Sequence, residues 1–245
     1  MKKALIFILT SLVIGNVISW FTGAWPITFE RQPYNAGEKM TLQSLETELG
    51  ENPNETDLLI ELGSIYSLHN DIDIAARHLD KAILLAPEDP LALVWHSANA
   101  AKRSGASLDL TMGIYKLYTL ADALGKITQA VELAPDDLTV RLVRLATFAN
   151  TGTINSGFDK VFEDEAWFEQ LLAKYPDDVP VQIKGQFYLS MAQAYFFKAD
   201  QSAGAKVDHY LKLFKTIPDK APADKRQFET LLAGFAETDG GRAWK

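Results

Sequence analysis

Apolar residues along this chain recur every three to four positions, and no stretch alternates between apolar and polar residues as a strand would. The first regular segment begins near Thr41, where Leu42, Leu45 and Leu49 share one helical face. Further segments of the same period predict helices over roughly 57–69, 73–85, 91–103, 108–133, 138–149, 160–175, 180–198, 204–216 and 222–236. The pattern therefore predicts an all-α fold.

Proline followed by acidic residues separates the predicted helices. Proline cannot donate the amide that a continuing helix needs, whereas a carboxylate can accept from the free amides at the start of the next helix. No histidine or third ligand lies near these acidic pairs, so they are interpreted as helix caps rather than as acid–base pairs or cation ligands. The breaks are Asn52-Pro53, Ala86-Pro87-Glu88-Asp89, Ala134-Pro135-Asp136-Asp137, Tyr175-Pro176-Asp177-Asp178 and Ile217-Pro218-Asp219.

The N-terminus carries a long uncharged segment behind a pair of lysines. Lys2 and Lys3 precede residues 4–25, which contain no charged side chain. A helix of that length rises about 33 Å, enough to cross a hydrocarbon core of about 30 Å. Trp20 and Trp25 would then lie at the far interface. The segment is interpreted as an inner-membrane anchor that leaves the rest of the chain on the periplasmic side.

Two other interpretations of residues 1–25 stay open. Thr22-Gly23-Ala24 ends in small residues, so a signal peptidase could cut near Ala24 and release the chain into the periplasm. The segment could also be a buried helix of a soluble protein. After the leader, residues 26–40 are expected to form a linker, 41–236 the helical domain and 237–245 a polar tail.

Composition narrows the classes of partner and chemistry. With 24 Lys and Arg against 32 Asp and Glu, the formal net charge is -8, which disfavours nucleic acid as a partner. The chain has no cysteine, so disulfides, thiolate metal sites and thiol nucleophiles are excluded. A hydrophobic share of 47% is enough for a sizeable core.

One hairpin carries a specific resemblance. Its residues are Leu59, Leu62, Gly63, Tyr66, Ala75, Leu79, Ala82 and Pro87, and Pro53 precedes Pro87 by 34 positions. This spacing resembles the tetratricopeptide repeat, a helical hairpin that buries its apolar face only by stacking on neighbours. The resemblance implies a right-handed superhelical stack of hairpins.

Later segments match this repeat less closely. The second unit keeps Ala123, Ile127, Ala130 and Pro135, and the third and fourth units fit mainly by length. The second unit also carries an insertion over residues 104–120, rich in tyrosine, methionine and aliphatic residues. This insertion is interpreted either as a lengthened helix that caps the stack or as an apolar lip that closes over the groove or contacts the membrane.

The resemblance also implies a binding groove, because the first helix of each such hairpin lines the concave surface. It places Asp57, Ile60, Ser64 and Ser67 there, and the proline-anchored offset adds Leu91, Val94, Ala98, Ala101 and Leu142. A groove of this composition suits an apolar or amphipathic peptide. Alternatively, the chain's own insertion covers these positions.

Two arginines three positions apart, Arg141 and Arg144, could together bind an acidic group of a partner. Salt bridges to neighbouring carboxylates are the other interpretation of this pair. The four histidines lack the spacing of a metal site, and no nucleotide-binding or serine-hydrolase motif occurs. No catalytic residue, metal ligand or cofactor is therefore assigned.

Two functions of different class remain. The first is a periplasm-facing scaffold or chaperone-like adaptor that holds a segment of another envelope protein. Its likeness to envelope assembly factors is one of layout only. The second is a small-ligand-binding or transport-accessory protein with an apolar pocket near residues 108–120.

Overall fold

The helices of the protein follow the predicted order. A computed structural model of the chain describes residues 2–21, 25–109, 111, 113–200 and 202–238, and no strand occurs among them. Its helices are α1 (Lys2–Phe21), α2 (Ala36–Glu51), α3 (Thr56–Leu68), α4 (Ile72–Leu85), α5 (Pro90–Ala106), α6 (Ile114–Leu133), α7 (Leu138–Thr151), α8 (Lys160–Lys174), α9 (Val181–Lys198), α10 (Ala203–Thr216) and α11 (Pro222–Glu237), with a short 3-10 helix at Gly152–Ile154. The predicted all-α class is confirmed for this part of the chain.

The first domain helix begins earlier than the apolar period indicates. Helix α2 starts at Ala36 rather than near Thr41, because Asn35 and Glu38 form a reciprocal cap. The Glu38 amide donates to Asn35 Oδ1 at 2.9 Å, and the Asn35 amide donates to Glu38 Oε2 at 2.7 Å. The non-helical segment expected over residues 26–40 is therefore limited to residues 25–35.

Helix α6 begins later than expected, at Ile114 instead of residue 108. The side chain of Asp109 accepts hydrogen bonds from the amides of Thr111 at 2.6 Å and Lys116 at 3.0 Å. Gly113 has a positive φ of 86°, which fits the turn into the helix. The insertion is thus a capped turn followed by a helix, and its residues 110 and 112 lie outside the described part of the chain.

Acidic caps start two of the helices as predicted. Asp89 Oδ1 accepts from the Ala92 amide at the start of α5, and Asp137 Oδ1 accepts from the Val140 amide at the start of α7, both at 2.8 Å. Helix α9 differs, because it follows Pro180 and has no side-chain cap. The capping interpretation is confirmed for Asp89 and Asp137.

Residues 41–236, expected to form one domain, fall into two compact units. Unit 1 comprises residues 1–130 and unit 2 comprises residues 131–245, with the division inside α6. In the polar tail expected over 237–245, residues 239–245 lie outside the described residues. Each unit is described by itself below.

In unit 1 the hairpin of α3 and α4 forms the centre of the core. A Cβ built on Gly63 would lie less than 3.0 Å from Leu79 Cγ, so the helices meet closely there. Leu42 and Leu45 of α2 pack onto this hairpin. In α6, Ala123, Ile127 and Ala130 are buried. Of the repeat-type residues of the hairpin, Pro87 is exposed and the other seven are buried: Leu59, Leu62, Gly63, Tyr66, Ala75, Leu79 and Ala82.

In unit 2 the central helix is α9, which packs against α7, α8, α10 and α11. Aromatic side chains fill its core. The rings of Phe168 and Phe187 stack with centroids 4.9 Å apart, and Tyr210 meets Phe187 edge-on at 5.8 Å. Phe148 and Phe214 are also fully buried.

Candidate partner-binding surfaces

The groove expected in unit 1 is mostly closed. Of the eight residues assigned to it there, Asp57 is exposed, and Ser64 and Leu91 are half-buried. Five others are buried: Ile60, Ser67, Val94, Ala98 and Ala101. Ile60, for example, packs in the core with Ala82 and Ala92. This corrects the expectation, since small and apolar residues at helical spacing serve helix packing here rather than an open surface.

The two arginines of α7 are used inside unit 2. Arg144 is 3% exposed, and its Nε and Nη2 donate to Asp164 Oδ2 and Oδ1 at 2.8 and 2.7 Å. Arg141 Nη1 donates to the same Asp164 Oδ1 at 2.9 Å, and its guanidinium lies over the Trp167 ring. Leu142 is buried. Salt bridging to a neighbouring carboxylate is therefore confirmed, and Arg144 is out of a partner's reach.

Burial and the neighbouring positive charges shift the pKa of Asp164 in opposite directions. Burial raises the pKa of this carboxyl, while the guanidinium groups of Arg144 and Arg141 lower it. The net direction of the pKa shift is upward, and the direct contacts with both guanidinium groups oppose it. The cluster thus holds α7 against α8.

A second buried polar network in unit 2 centres on Glu165 of α8. Its carboxylate accepts from the hydroxyls of Tyr195 at 2.7 Å and Tyr210 at 2.6 Å, and from Lys206 Nζ at 3.0 Å. Burial and the hydrogen bonds to Glu165 raise the pKa of both tyrosines well above their usual range. The tyrosines are donors that stay protonated, so the network ties α8, α9 and α10 together.

A shallow depression in unit 1 is open to a partner. It has a volume of about 440 Å³, with an apolar side from Leu49 and Pro53 in front of the buried Leu59, and basic groups on α4. We call it the α2–α4 depression. Its lining residues are Glu46, Leu49, Gly50, Pro53, Leu59, Arg77, His78 and Lys81.

Two of the three basic residues of the α2–α4 depression are held internally. His78 stacks on the Tyr66 ring at 5.7 Å, and burial lowers its pKa, so it is neutral at pH 7. Lys81 Nζ donates to the Pro53 carbonyl oxygen, and the Tyr66 hydroxyl donates to Glu46. Arg77 is exposed at the rim. The depression therefore offers an apolar side next to a positive rim.

Residues 25–35 form an extended strap that docks on unit 1. The Tyr34 hydroxyl donates to Asp71 Oδ2 at 2.6 Å, and the Tyr34 ring stacks on His69 at 4.0 Å. The Ile27 amide donates to the Gly105 carbonyl oxygen at 2.9 Å. The linker expected over residues 26–40 is therefore docked through residues 27–34, and an extended chain has no period that would reveal such contacts.

Lys102 of α5 lies close to the strap's docking site. Its Nζ donates to the Ser67 carbonyl oxygen at 2.7 Å and to Asn70 Oδ1 at 2.9 Å. Burial lowers the pKa of this amine to about 8. Both acceptors are uncharged, so Lys102 satisfies polar groups at the C-terminal end of α3 without a counter-charge to offset the burial of its amine.

Beside the strap, the insertion presents apolar side chains outward. They form what we call the insertion patch: Leu108, Ile114, Tyr115, Leu117 and Tyr118, exposed by 53–71%. Side chains that face solvent do not enclose a cavity. The apolar pocket expected near residues 108–120 thus gains no support from these residues, and Met112 lies outside the described part.

Helix α1 also exposes its apolar side chains. Residues on every side of it are solvent-accessible, including Leu5, Phe7, Val13 and Ile18. Applied to the described residues, criteria of length and apolarity identify no helix that could cross a membrane. The possible cleavage site at Thr22-Gly23-Ala24 lies outside those residues.

Comparison with known proteins identifies no relative. No family model matches the chain, and no characterised protein or solved structure shows significant similarity to it. Within the described residues, no group of three acidic or histidine side chains is arranged to hold a metal ion. The likeness to the tetratricopeptide repeat therefore rests on the residues of this chain alone.

Proposed function

We propose that this protein is a non-catalytic adaptor that binds a segment of another envelope protein. The α2–α4 depression is the observation that carries this proposal. It joins an apolar side to an exposed arginine on a rigid helical hairpin, the arrangement that holds an extended peptide. In unit 2 the buried carboxylates of Asp164 and Glu165 accept hydrogen bonds from arginine, tyrosine and lysine side chains, which supports a structural role for both.

The chemistry of the α2–α4 depression defines the partner segment. The half-buried Leu49 and the exposed Pro53 favour an apolar side chain, and Arg77 favours a carboxylate next to it. Glu46 accepts from the Tyr66 hydroxyl through one oxygen and lies apart from Arg77, on the α2 side of the depression. The expected ligand is therefore a short peptide with one apolar and one acidic residue in succession.

The hairpins of the protein are proposed to be divergent tetratricopeptide-type repeats that stack into a superhelix. Support comes from the close contact of Gly63 with Leu79 and from the buried Ala75 and Ala82, because these small residues let paired helices approach. In such a stack the depression lies at the end where α2 covers the first hairpin.

We further propose that α1 places the adaptor at the inner membrane with its helical units in the periplasm. A helix with apolar side chains exposed on all sides is unfavourable in water, and lipid is the solvent that suits it. Lys2 and Lys3 would stay on the cytoplasmic side. Cleavage near Ala24 would instead release the same adaptor into the periplasm.

Affinity capture of the detergent-solubilised full chain tests the adaptor function. Arg77→Glu reverses the charge at the depression, and Lys225→Glu makes the same change in net charge on an exposed position of α11. We expect specific envelope proteins to be lost with Arg77→Glu and kept with Lys225→Glu, with both variants folded by circular dichroism. If the two variants capture the same proteins as the wild type, the depression is not the binding site.

A further inference from the structure

The insertion patch lies in a charge-poor stretch of unit 1. Between Ser104 and Ala121 the only charged residues are Asp109 and Lys116. Asp109 is 9% exposed and accepts from backbone amides, and Lys116 Nζ donates to the Gly105 carbonyl oxygen at 3.0 Å. The outward surface of this stretch is therefore apolar and uncharged, in a chain that is 23% charged.

One carbonyl oxygen joins the insertion to the N-terminal strap. The Gly105 oxygen accepts from the Ile27 amide at 2.9 Å and from Lys116 Nζ at 3.0 Å. A Cβ on Gly105 would also meet Ile27 and Phe29 at 3.3 and 3.6 Å, so the strap packs closely here. The start of α6 and the start of the strap are thus held at the same point.

This junction limits how far the start of the insertion can lie from the end of α1. Helix α1 ends at Phe21, and six residues at most about 3.4 Å apart bring the chain to Ile27, a reach of about 20 Å. Trp25 and Ile27 are themselves more than half exposed. When α1 lies in lipid, the Ile27–Gly105 junction therefore lies within about 20 Å of the membrane end of α1, which brings the patch within reach of the bilayer.

We propose that the insertion patch is a second membrane contact, which rests in the lipid interface beside α1. This inference rests on the proposed placement of α1 in the membrane. Tyrosine favours the interface because its ring is apolar and its hydroxyl stays hydrated, and Tyr115 and Tyr118 combine with Leu117 in this way. Lipid is favoured over a protein partner as the occupant of the patch, because the short chain from α1 to Ile27 keeps the patch near the bilayer at all times. Two contacts would orient unit 1 on the membrane, where one helix would leave it free to rotate.

Single-cysteine labelling tests this contact directly, because the chain has no native cysteine. The full chain is placed in vesicles of phosphatidylethanolamine and phosphatidylglycerol that contain lipids with a shallow nitroxide quencher. An environment-sensitive fluorophore is attached to Tyr118→Cys in the patch, to Val13→Cys in α1, or to Leu84→Cys, which is 80% exposed on α4. We expect several-fold stronger quenching and a shorter emission wavelength at residue 118 than at residue 84.

The same labels separate failure of this inference from failure of the membrane placement. Equal, weak quenching at residues 118 and 84 overturns the second contact. Quenching at residue 13 in that case leaves α1 in the membrane, whereas its absence there removes the placement as well. If residue 118 becomes shielded only after solubilised membrane proteins are added, the patch is a protein interface and the inference is wrong. A further variant, Tyr115→Asp with Leu117→Asp, should abolish quenching at residue 118.

Discussion

At the scale of single residues, Asp164 neutralises the buried Arg144 and joins two helices of unit 2. Replacing it by asparagine would leave the guanidinium, with its side chain 4% exposed, without a full counter-charge. We expect Asp164→Asn to lower the free energy of unfolding by about 3–5 kcal/mol. Chemical denaturation monitored by circular dichroism measures this change.

Glu163 supplies the matched control, because it contacts the same Arg144 from the surface. The two groups are 3.6 Å apart, and the Glu163 side chain is 62% exposed. Solvent screens such a pair, so Glu163→Gln should change the free energy of unfolding by less than about 1 kcal/mol. Equal losses from the two substitutions would show that burial does not set the energy of this cluster.

The buried amine of Lys102 predicts an unusual dependence of stability on pH. The pKa of Lys102 is about 8 in the folded chain and 10.5 when the side chain is exposed in the unfolded chain. Between these pH values the unfolded state therefore binds more protons than the folded state. The free energy of unfolding should therefore rise from pH 8 toward pH 10, by at most about 1.4 kcal/mol per pH unit from this residue. Denaturation at a series of pH values measures the slope.

Two comparisons isolate the contribution of Lys102. Lys102→Met should reduce the rise in the free energy of unfolding between pH 8 and pH 10. Lys225→Met, at an exposed position, should leave that rise unchanged. Above pH 10 the trend reverses, because burial and the bond to Glu46 raise the pKa of Tyr66 to about 12, and stability from this tyrosine is lost through that range. A slope unchanged in Lys102→Met would contradict the account of this amine.

At the scale of elements, the hairpin of α3 and α4 depends on close helix contact at Gly63. An added Cβ would clash with the fully buried Leu79, which cannot move without displacing its neighbours. We expect Gly63→Ala to lower the free energy of unfolding by about 1–3 kcal/mol. Thermal denaturation of the full chain measures the effect.

Gly125 of α6 provides the opposite case. A Cβ built there meets nothing within 4 Å, and the residue is exposed in a helix. Gly125→Ala should therefore stabilise the protein by about 0.5–1 kcal/mol, because alanine favours the helix. Destabilisation by Gly125→Ala, or none by Gly63→Ala, would contradict the packing described for unit 1.

The docked strap is an element whose stability can be measured locally. The amides of Ile27 and Gln32 donate to Gly105 and His69 carbonyl oxygens, each at 2.9 Å, so both should exchange slowly with deuterium. Tyr34→Phe removes one hydrogen bond to Asp71, worth about 1 kcal/mol, and keeps the aromatic ring. We expect faster exchange at both amides in this variant and no change in α9. Fast exchange in the wild type would mean that the strap is not docked.

At the scale of the whole molecule, the apolar period was enough to predict an all-α fold. Helix starts were less predictable, since they depend on caps. Asp89 and Asp137 follow a proline and are recognisable, whereas Asn35 caps α2 ahead of its apolar period. Asp109 forms its turn inside a segment whose leucines and tyrosines already have helical spacing.

The candidate surface was predicted poorly because periodicity does not distinguish a buried face from a groove. Val94 and Ile60 have the spacing of a lining residue, yet both lie in the core. The burial of Arg144 could not be predicted from its local sequence, because its partner Asp164 lies 20 positions further along the chain. The α2–α4 depression depends on three helices together, and no local pattern in the sequence marks it.

The central claim is that the α2–α4 depression binds a segment of an envelope protein. Photocrosslinking in intact membranes tests it most directly, with a photoreactive amino acid placed at Arg77 in the depression or at Lys225 on α11. The account predicts discrete crosslinked proteins from position 77 that are absent from position 225. No adduct at position 77, or the same adducts from both positions, would contradict it.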